Sequence, residues 1–551
     1  MTGRRRALTL GAAALAALLA WLVGWPLLIT FGEALGGPGG WTLAHLRAFA
    51  ARPDEWLALW RSLWTSAASV VLAAAVGVPL GFAFERAEFP GRRFLGAAAA
   101  LPVALPPLVG VIAFLFLFGE SGFATRAVQA ALGLAAPPWR LAGPGAILLV
   151  HTYSFYVFFY LFTRAALARM DGSLLEAAAS LGAGRLRTLL RVTLPLLRPA
   201  LATAALLTFM TALASFSAPY LFGGSFRVMT TQIVASKLNG DDALAQVETV
   251  TLAALALLGL AAMRRADRRA ERVAGTRGVP PRRRRLAGPA RWAVGGLAVL
   301  AAAFLLLPHA VLVLLSFVPP FTWTAEPFPP VLDLGNWRTL FSSAERLRPI
   351  ANSLWMATAA TAAALALGLA AALVARRRGG RLATLLEGLL AVPWALPGTV
   401  FAVALAMAMS VHAPWQGRFL LIGTPLILPL AYLVRGLPLT GRAALAGLRQ
   451  LDPALDEAAA SLGAGTFRRL RRITLPLLRP ALAAGAALAF VTALGDFVTS
   501  IVLYTFETRP IAIEILSGLR LQELGLAAAY GVLLMAASAG AFALRGEGRE
   551  L

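Results

Sequence analysis

The stretch D-G-S-L-L-E-A-A-A-S-L-G-A-G-R-L-R-T-L-L-R-V-T-L-P-L-L-R-P-A-L, Asp171 to Leu201, returns as D-P-A-L-D-E-A-A-A-S-L-G-A-G-T-F-R-R-L-R-R-I-T-L-P-L-L-R-P-A-L, Asp452 to Leu482. One offset, 281 residues, carries Glu176 to Glu457 and Pro195 to Pro476. Both copies are polar, Arg-rich islands between long apolar runs. In the first, Asp171 or Ser173 can cap a short helix through Glu176, Ala177 and Ala178, since a side-chain oxygen there satisfies a free backbone N–H. Alanines keep that helix thin enough to press against a partner. Gly182 and Gly184 permit a sharp turn, and a glycine accepts a positive φ there. A second short helix follows from Arg185 to Arg191, with Pro195 and Pro199 expected to end it before the next apolar run at Ala200. The second copy repeats the plan with Glu457, Ala458, Ala459, Gly463 and Pro476, and places Phe467, Leu470 and Ile473 on its apolar side. Such an element either docks on a soluble partner or lies as an amphipathic helix on the lipid surface.

The rest of the chain decides where these islands sit. Of 551 residues, 59% are hydrophobic and 14% charged, with mean hydropathy +0.74. That is far below the charge of a soluble globular domain and fits a protein embedded in a bilayer. There is no cysteine, which excludes disulfides, thiolate chemistry and Cys-ligated zinc. The net charge of +24 lies in arginines flanking apolar runs, the pattern of basic loops retained on the cytoplasmic side rather than of nucleic-acid binding.

Apolar runs long enough to cross about 30 Å of hydrocarbon as helices lie near 7–31, 62–84, 94–118, 144–163, 200–222 and 244–263. A second set lies near 293–316, 353–375, 382–407, 419–437, 481–504 and 525–544. The expectation is an all-α membrane protein with twelve spans. Arg4, Arg5 and Arg6 followed by the first run also resemble a signal peptide, but the run is long for one and contains Trp21, Trp25 and Pro26, so it reads as a retained span. Arginines at 85–93, 164–199, 264–291, 376–381 and 438–480 put these loops and both termini on the cytoplasmic side of an inner membrane, with acidic residues such as Asp54, Glu55, Asp241 and Asp242 outside.

The duplication extends past the islands. Ser62-Leu63-Trp64 matches Ser353-Leu354-Trp355, Gly77 matches Gly368, and L-P-V-A-L-P at 101–106 matches V-P-W-A-L-P at 392–397. Two six-span halves with both islands on one side make a parallel repeat, and a pathway is expected at the seam between them. The division expected is a first repeat over 1–263 with its island at 171–199, an Arg-rich, Gly- and Pro-containing linker over 264–291, and a second repeat over 292–551 with its island at 452–480.

Glu176-Ala177-Ala178, Gly182, Val192 and Leu194-Pro195, repeated as Glu457-Ala458-Ala459, Gly463, Ile473 and Leu475-Pro476, resemble the E-A-A signature of permease subunits of binding-protein-dependent ABC importers. The resemblance covers essentially the whole chain. It implies that both islands are coupling loops seated on two copies of a cytoplasmic ABC ATPase, with ATP and magnesium bound by those partners. It also implies an extracytoplasmic solute-binding protein as donor. Both halves on one chain resemble the ferric-iron and thiamine importers, and residues 209–224 and 490–500 look most like the ferric-iron branch, which makes ferric iron, free or chelated, the implied cargo; thiamine, a polyamine or a phosphonate stay open. The chain itself shows no P-loop, since its only lysine lies in Ser236-Lys237-Leu238, and its four histidines lack metal-ligand spacing. No enzymatic activity, cofactor or metal is therefore expected on this polypeptide.

Four residues inside the apolar runs are pathway candidates. Asp496 lies in the eleventh run, where a carboxylate is costly and faces protein or water; neighbouring hydroxyls or a kink at Gly495 could also account for it. Its repeat partner is the neutral Ser215. Pro106 and Pro397, with Pro102, Pro107 and Pro393, break two equivalent spans, as in transport sites or simple packing kinks. His151 opens the fourth run among tyrosines, suited to the pathway or to interfacial packing. Two rivals come from other classes. A twelve-span ion-coupled transporter shares the six-plus-six plan but does not account for matched E-A-A islands, and a membrane scaffold needs neither broken spans nor Asp496.

Overall fold

In a computed structural model, described for residues 2–37, 40–100, 106–273, 284–285, 288–323 and 326–546, the chain is all-helical apart from two-residue strand pairs, Gly36–Gly37 with Gly40–Trp41 and Ala87–Glu88 with Arg284–Arg285. Among the described residues ten helices are long and apolar enough to cross a membrane. The count is eleven if Gly380–Ala395 and Gly398–Ala408, bent by 109° at their junction, form one broken span. Sequence predicts twelve. The run expected at 419–437 is the one that does not qualify: its helix is Ile427–Gln450, set back by eight residues and carrying Arg435, Arg442 and Arg449. It is nonetheless the counterpart of the first-repeat span Gly143–Arg169, as its packing shows.

Each repeat is built on the same close helix pair. Pro53–Arg86 packs on Gly143–Arg169, and Ala344–Arg378 packs on Ile427–Gln450. A Cβ on Gly77 would collide with the Tyr156 carbonyl oxygen, and one on Gly368 would lie 2.8 Å from the Gly441 nitrogen. Small residues let the backbones approach, which is how helices gain packing energy where lipid supplies no hydrophobic drive. The repeated Ser62 and Ser353 also do one job twice. The Ser62 hydroxyl accepts from the Met229 N–H at 2.7 Å, and the Ser353 hydroxyl accepts from the Ile511 N–H at 2.8 Å. Each satisfies the start of a short helix, Met229–Leu238 or Ile511–Arg520.

The repeats are not side-by-side bundles. The first helical segment of the chain, through Trp25–Ala34, packs on Gly398–Ala408 of the second repeat, where Trp21 donates to the Gly417 carbonyl (2.8 Å) and Arg418 pairs with Glu33 (2.8 Å). Reciprocally, Pro289–Leu315, the first span of the second repeat, packs on Pro107–Phe118 of the first, and Tyr153 donates to the Leu305 carbonyl (2.6 Å). The largest buried cluster accordingly mixes Leu108–Leu117 and Phe216 with Leu405, Tyr432, Phe497 and Tyr530. Residues 264–273 continue the helix Asp242–Val273 rather than opening the expected linker, and most of that linker lies outside the described residues. Pro102 does too.

Candidate functional site

The two islands fold alike. Asp171 caps the helix Gly172–Ser180 by accepting from the Ser173 N–H (3.0 Å), and Asp452 caps Pro453–Ser461 by accepting from the Ala454 N–H (2.9 Å). Glu176, Ala177 and Ala178, and Glu457, Ala458 and Ala459, lie on these helices; Ala178 and Ala459 face inward and are buried. Gly182 and Gly463 follow at φ 71° and 75°, the left-handed turn that glycine takes without a Cβ penalty. The prolines do not act as expected. Arg185–Thr188 runs through a π-turn, Leu189–Thr193, straight into Leu194–Leu213, and the second copy does the same through Leu470–Thr474 into Leu475–Leu494. Pro195 and Pro476 fall in the first turn after the wider π-turn, where a missing N–H is tolerated, so neither ends its helix.

Both islands leave apolar side chains uncovered at matched positions. Leu181 is 87% exposed and Leu462 88%; Leu174 and Leu455, and Leu186 and Phe467, are exposed as well. These side chains sit in loops rich in arginine rather than in apolar spans. A matched apolar surface of this kind marks a contact with protein or with the membrane surface. Sequence reasoning placed Phe467 on an apolar side but missed the two leucines before the glycines. The signal was their position, an apolar residue at the tip of a polar turn.

At the seam, Phe216 and Phe497 occupy the same place in the two repeats and meet with ring centroids 5.7 Å apart. Contact between equivalent residues is what a twofold relation between repeats produces. Pro106 is buried here against the second repeat, since a Cβ on Gly495 would lie 2.5 Å from the Pro106 Cβ. Pro397 starts the helix Gly398–Ala408 after the 109° bend, and Pro106 stands at the equivalent start of Pro107–Phe118.

Asp496 is not inside a continuous span. The helix stops at Leu494 and resumes at Val498, and Asp496 caps the new start by accepting from the Thr499 N–H (2.8 Å) and hydroxyl (2.9 Å). Its side chain, 2% exposed, also pairs with Arg435 Nε at 3.0 Å. Gly398 makes room for that guanidinium, because any side chain there would strike Arg435. Tyr432 and Ser500 complete the cluster at 2.6 Å. In the first repeat the same place is neutral: Ser215 hydrogen-bonds His151 Nε2 (2.9 Å), whose Nδ1 meets Ser69 (2.8 Å). His151 thus ties the helices Pro53–Arg86 and Gly143–Arg169 to the break before Ser217–Phe222 inside the first repeat. Arg435 went unrecognised in the sequence because it stands in an arginine-containing run; its offset-281 partner, Ser154, was the available clue. Among the described residues no group of three or more His, Cys, Asp or Glu could hold a metal ion.

Two interlocked helical repeats with a broken-helix seam and paired loops define a multi-pass membrane transport subunit. Residues 77–272 and 364–546 match the binding-protein-dependent transport system inner membrane component family, and the chain belongs to it. It is therefore a double-length inner-membrane permease of the ABC importer type, which sets aside the ion-coupled transporter and the scaffold. A probable ABC transporter permease protein of Sinorhizobium fredii is 33% identical over 84% of this chain and 81% of its own. A ferric transport system permease protein of Actinobacillus pleuropneumoniae is 30% identical over 82% of this chain and 64% of its own length. A molybdenum transport system permease protein of Mycobacterium tuberculosis is 33% identical over 39% of this chain and 82% of its own.

Proposed function

We propose that this permease carries ferric iron, free or chelated, from an extracytoplasmic binding protein to the cytoplasm, driven by two copies of an ABC ATPase docked on the islands at 171–199 and 452–480. ATP and magnesium belong to those partners; this chain supplies the path and the lever. The observation that carries the coupling role is the matched exposure of Leu181 and Leu462 beside left-handed Gly182 and Gly463. An apolar side chain held out on a rigid turn suits insertion into a cleft of a partner. Glu176 and Glu457, with the adjoining alanines, form the helix that presents it, and the unbroken helices through Pro195 and Pro476 join each island directly to the seam. Movement of an ATPase would then be transmitted to Ser215 and Asp496 as rigid-body displacement of the two repeats. The linker that follows the helix Asp242–Val273 lies with both termini in the cytoplasm, ahead of a second repeat over 292–551.

Iron is supported by the ferric relative, which aligns across both repeats. Molybdenum is the second cargo, favoured by the relative that aligns with about 39% of the chain, one repeat's worth. The decisive experiment reconstitutes the permease with its ATPase and loaded binding protein in vesicles and measures uptake of radioactive iron against molybdate. Leu181→Asp combined with Leu462→Asp should abolish ATPase co-purification while leaving permease abundance unchanged; retained co-purification would sink the docking role. Uptake of molybdate and not iron would sink the cargo.

A further inference from the structure

The end of the first repeat remote from its island holds two carboxyl groups and no cation to match them. Glu55 stands in the first turn and a half of Pro53–Arg86, and Glu248 stands near the start of Asp242–Val273. They are 1% and 0% exposed and are held by residues one turn apart on one short helix. Gln232 Nε2 donates to Glu55 Oε1 (2.9 Å), and the Ser236 hydroxyl donates to Glu248 Oε1 (2.8 Å), both from the short helix Met229–Leu238. The second oxygen of each carboxyl, Oε2, is buried with no donor. Among the described residues no ion pair reaches either group.

The charged neighbours are already engaged. Asp241 pairs with Arg52 (3.3 Å), Asp242 with Lys237 (2.7 Å), and Glu33 with Arg418 (2.8 Å) while also accepting from Gln246 (2.9 Å). His45 contacts the Gly36 carbonyl (3.0 Å), Arg61 donates to the Ser225 carbonyl (3.1 Å), and Asp54 is exposed in the first turn of its helix. None of these supplies a positive charge to the pair.

The second repeat shows what belongs there. The offset that joins Ser62 to Ser353 takes Glu55 to Arg346. The one that joins Met229 to Ile511 takes Gln232 to Glu514, Asp241 to Glu523 and Glu248 to Tyr530. Arg346 reaches both oxygens of Glu523 (3.3 and 3.5 Å), Arg509 pairs with Glu514 (2.7 Å), and Tyr530 donates to the Arg346 carbonyl (2.6 Å). One framework is thus closed by guanidinium in the second repeat and left with two carboxyl groups and no cation in the first. Burial without a cation disfavours two adjacent negative charges.

We infer that Glu55 and Glu248 form a proton-binding site, one proton held between their Oε2 atoms, which locks the helices 53–86, 229–238 and 242–273 together at this end of the permease. The site stands apart from the islands and the seam and does not depend on the cargo.

The test is infrared spectroscopy of the full chain in lipid nanodiscs. Wild type minus Glu248→Gln, with Glu55→Gln as the second variant, should show the carbonyl stretch of one protonated carboxyl per chain, shifted on exchange into heavy water. Glu55→Arg installs the second repeat's solution, so this band should vanish, replaced by carboxylate stretches, with abundance retained. Absence of the protonated-carboxyl stretch from both difference spectra would overturn the inference. So would heat of binding for sodium, potassium, magnesium or calcium to chelator-washed chain that both Gln variants abolish, because the missing charge would then be a metal cation.

Discussion

Removing Arg435 tests whether the second repeat's seam depends on its ion pair. Arg435→Ser copies the residue at the equivalent place in the first repeat, Ser154, and strands Asp496, whose side chain is 2% exposed. Stripping one partner from a buried pair costs about 3–5 kcal/mol. Two features pull this case to the low end: Thr499 still donates twice to the carboxylate, and the Arg435 side chain is 27% exposed in the pair, so less desolvation is at stake. The expectation is about 3 kcal/mol for Arg435→Ser. Arg435→Ser with Asp496→Ser removes both charges and restores the neutral pattern of Ser154 and Ser215, so its cost should fall to about 1 kcal/mol, a coupling of about 2 kcal/mol or more. The assay is a double-variant cycle by reversible denaturation in mixed micelles, with uptake measured in vesicles alongside. If the double variant is as unstable as the sum of the two single ones, the pair carries no coupling and the argument fails. Uptake lost in the double variant despite recovered stability would place the charges in the transport path itself.

Two further outcomes follow from local geometry. Gly182→Val and Gly463→Val force a β-branched residue to φ near 71° and 75°, which costs about 1–3 kcal/mol at each turn. ATPase stimulation by loaded binding protein should drop in both, and stimulation unchanged in both would remove the coupling assignment. Ser62→Ala and Ser353→Ala each leave a buried N–H, of Met229 or Ile511, without an acceptor, at about 1–3 kcal/mol apiece. Thermal melting should place the two losses close together, and a neutral effect at either site would show that the repeated serine has no repeated job.

The sequence by itself determined the repeat, the all-helical membrane class and the turn of each island, because these depend on local chemistry. A cap needs an oxygen at Asp171, a left-handed turn needs Gly182, and a bilayer needs long apolar runs. Gly77 and Gly368 were likewise visible as a pair before their contacts were known. What only the tertiary structure decided are contacts between distant segments, which leave no periodic trace. The exchange of first spans between repeats was one, since nothing in 7–31 names 398–408 as its neighbour. The passage of helix through Pro195 and Pro476 was another, because a π-turn upstream relieves a constraint that the proline alone would impose. Asp496 was legible as a costly carboxylate, but its partner Arg435 stands 61 positions away on another helix, in a run whose arginines otherwise read as loop signals. Glu55 and Glu248 are separated by 193 positions, and only Glu55 stood out in the sequence, as an acid outside the membrane; folding buries both, because helices 53–86 and 242–273 bring their starts together around one short helix.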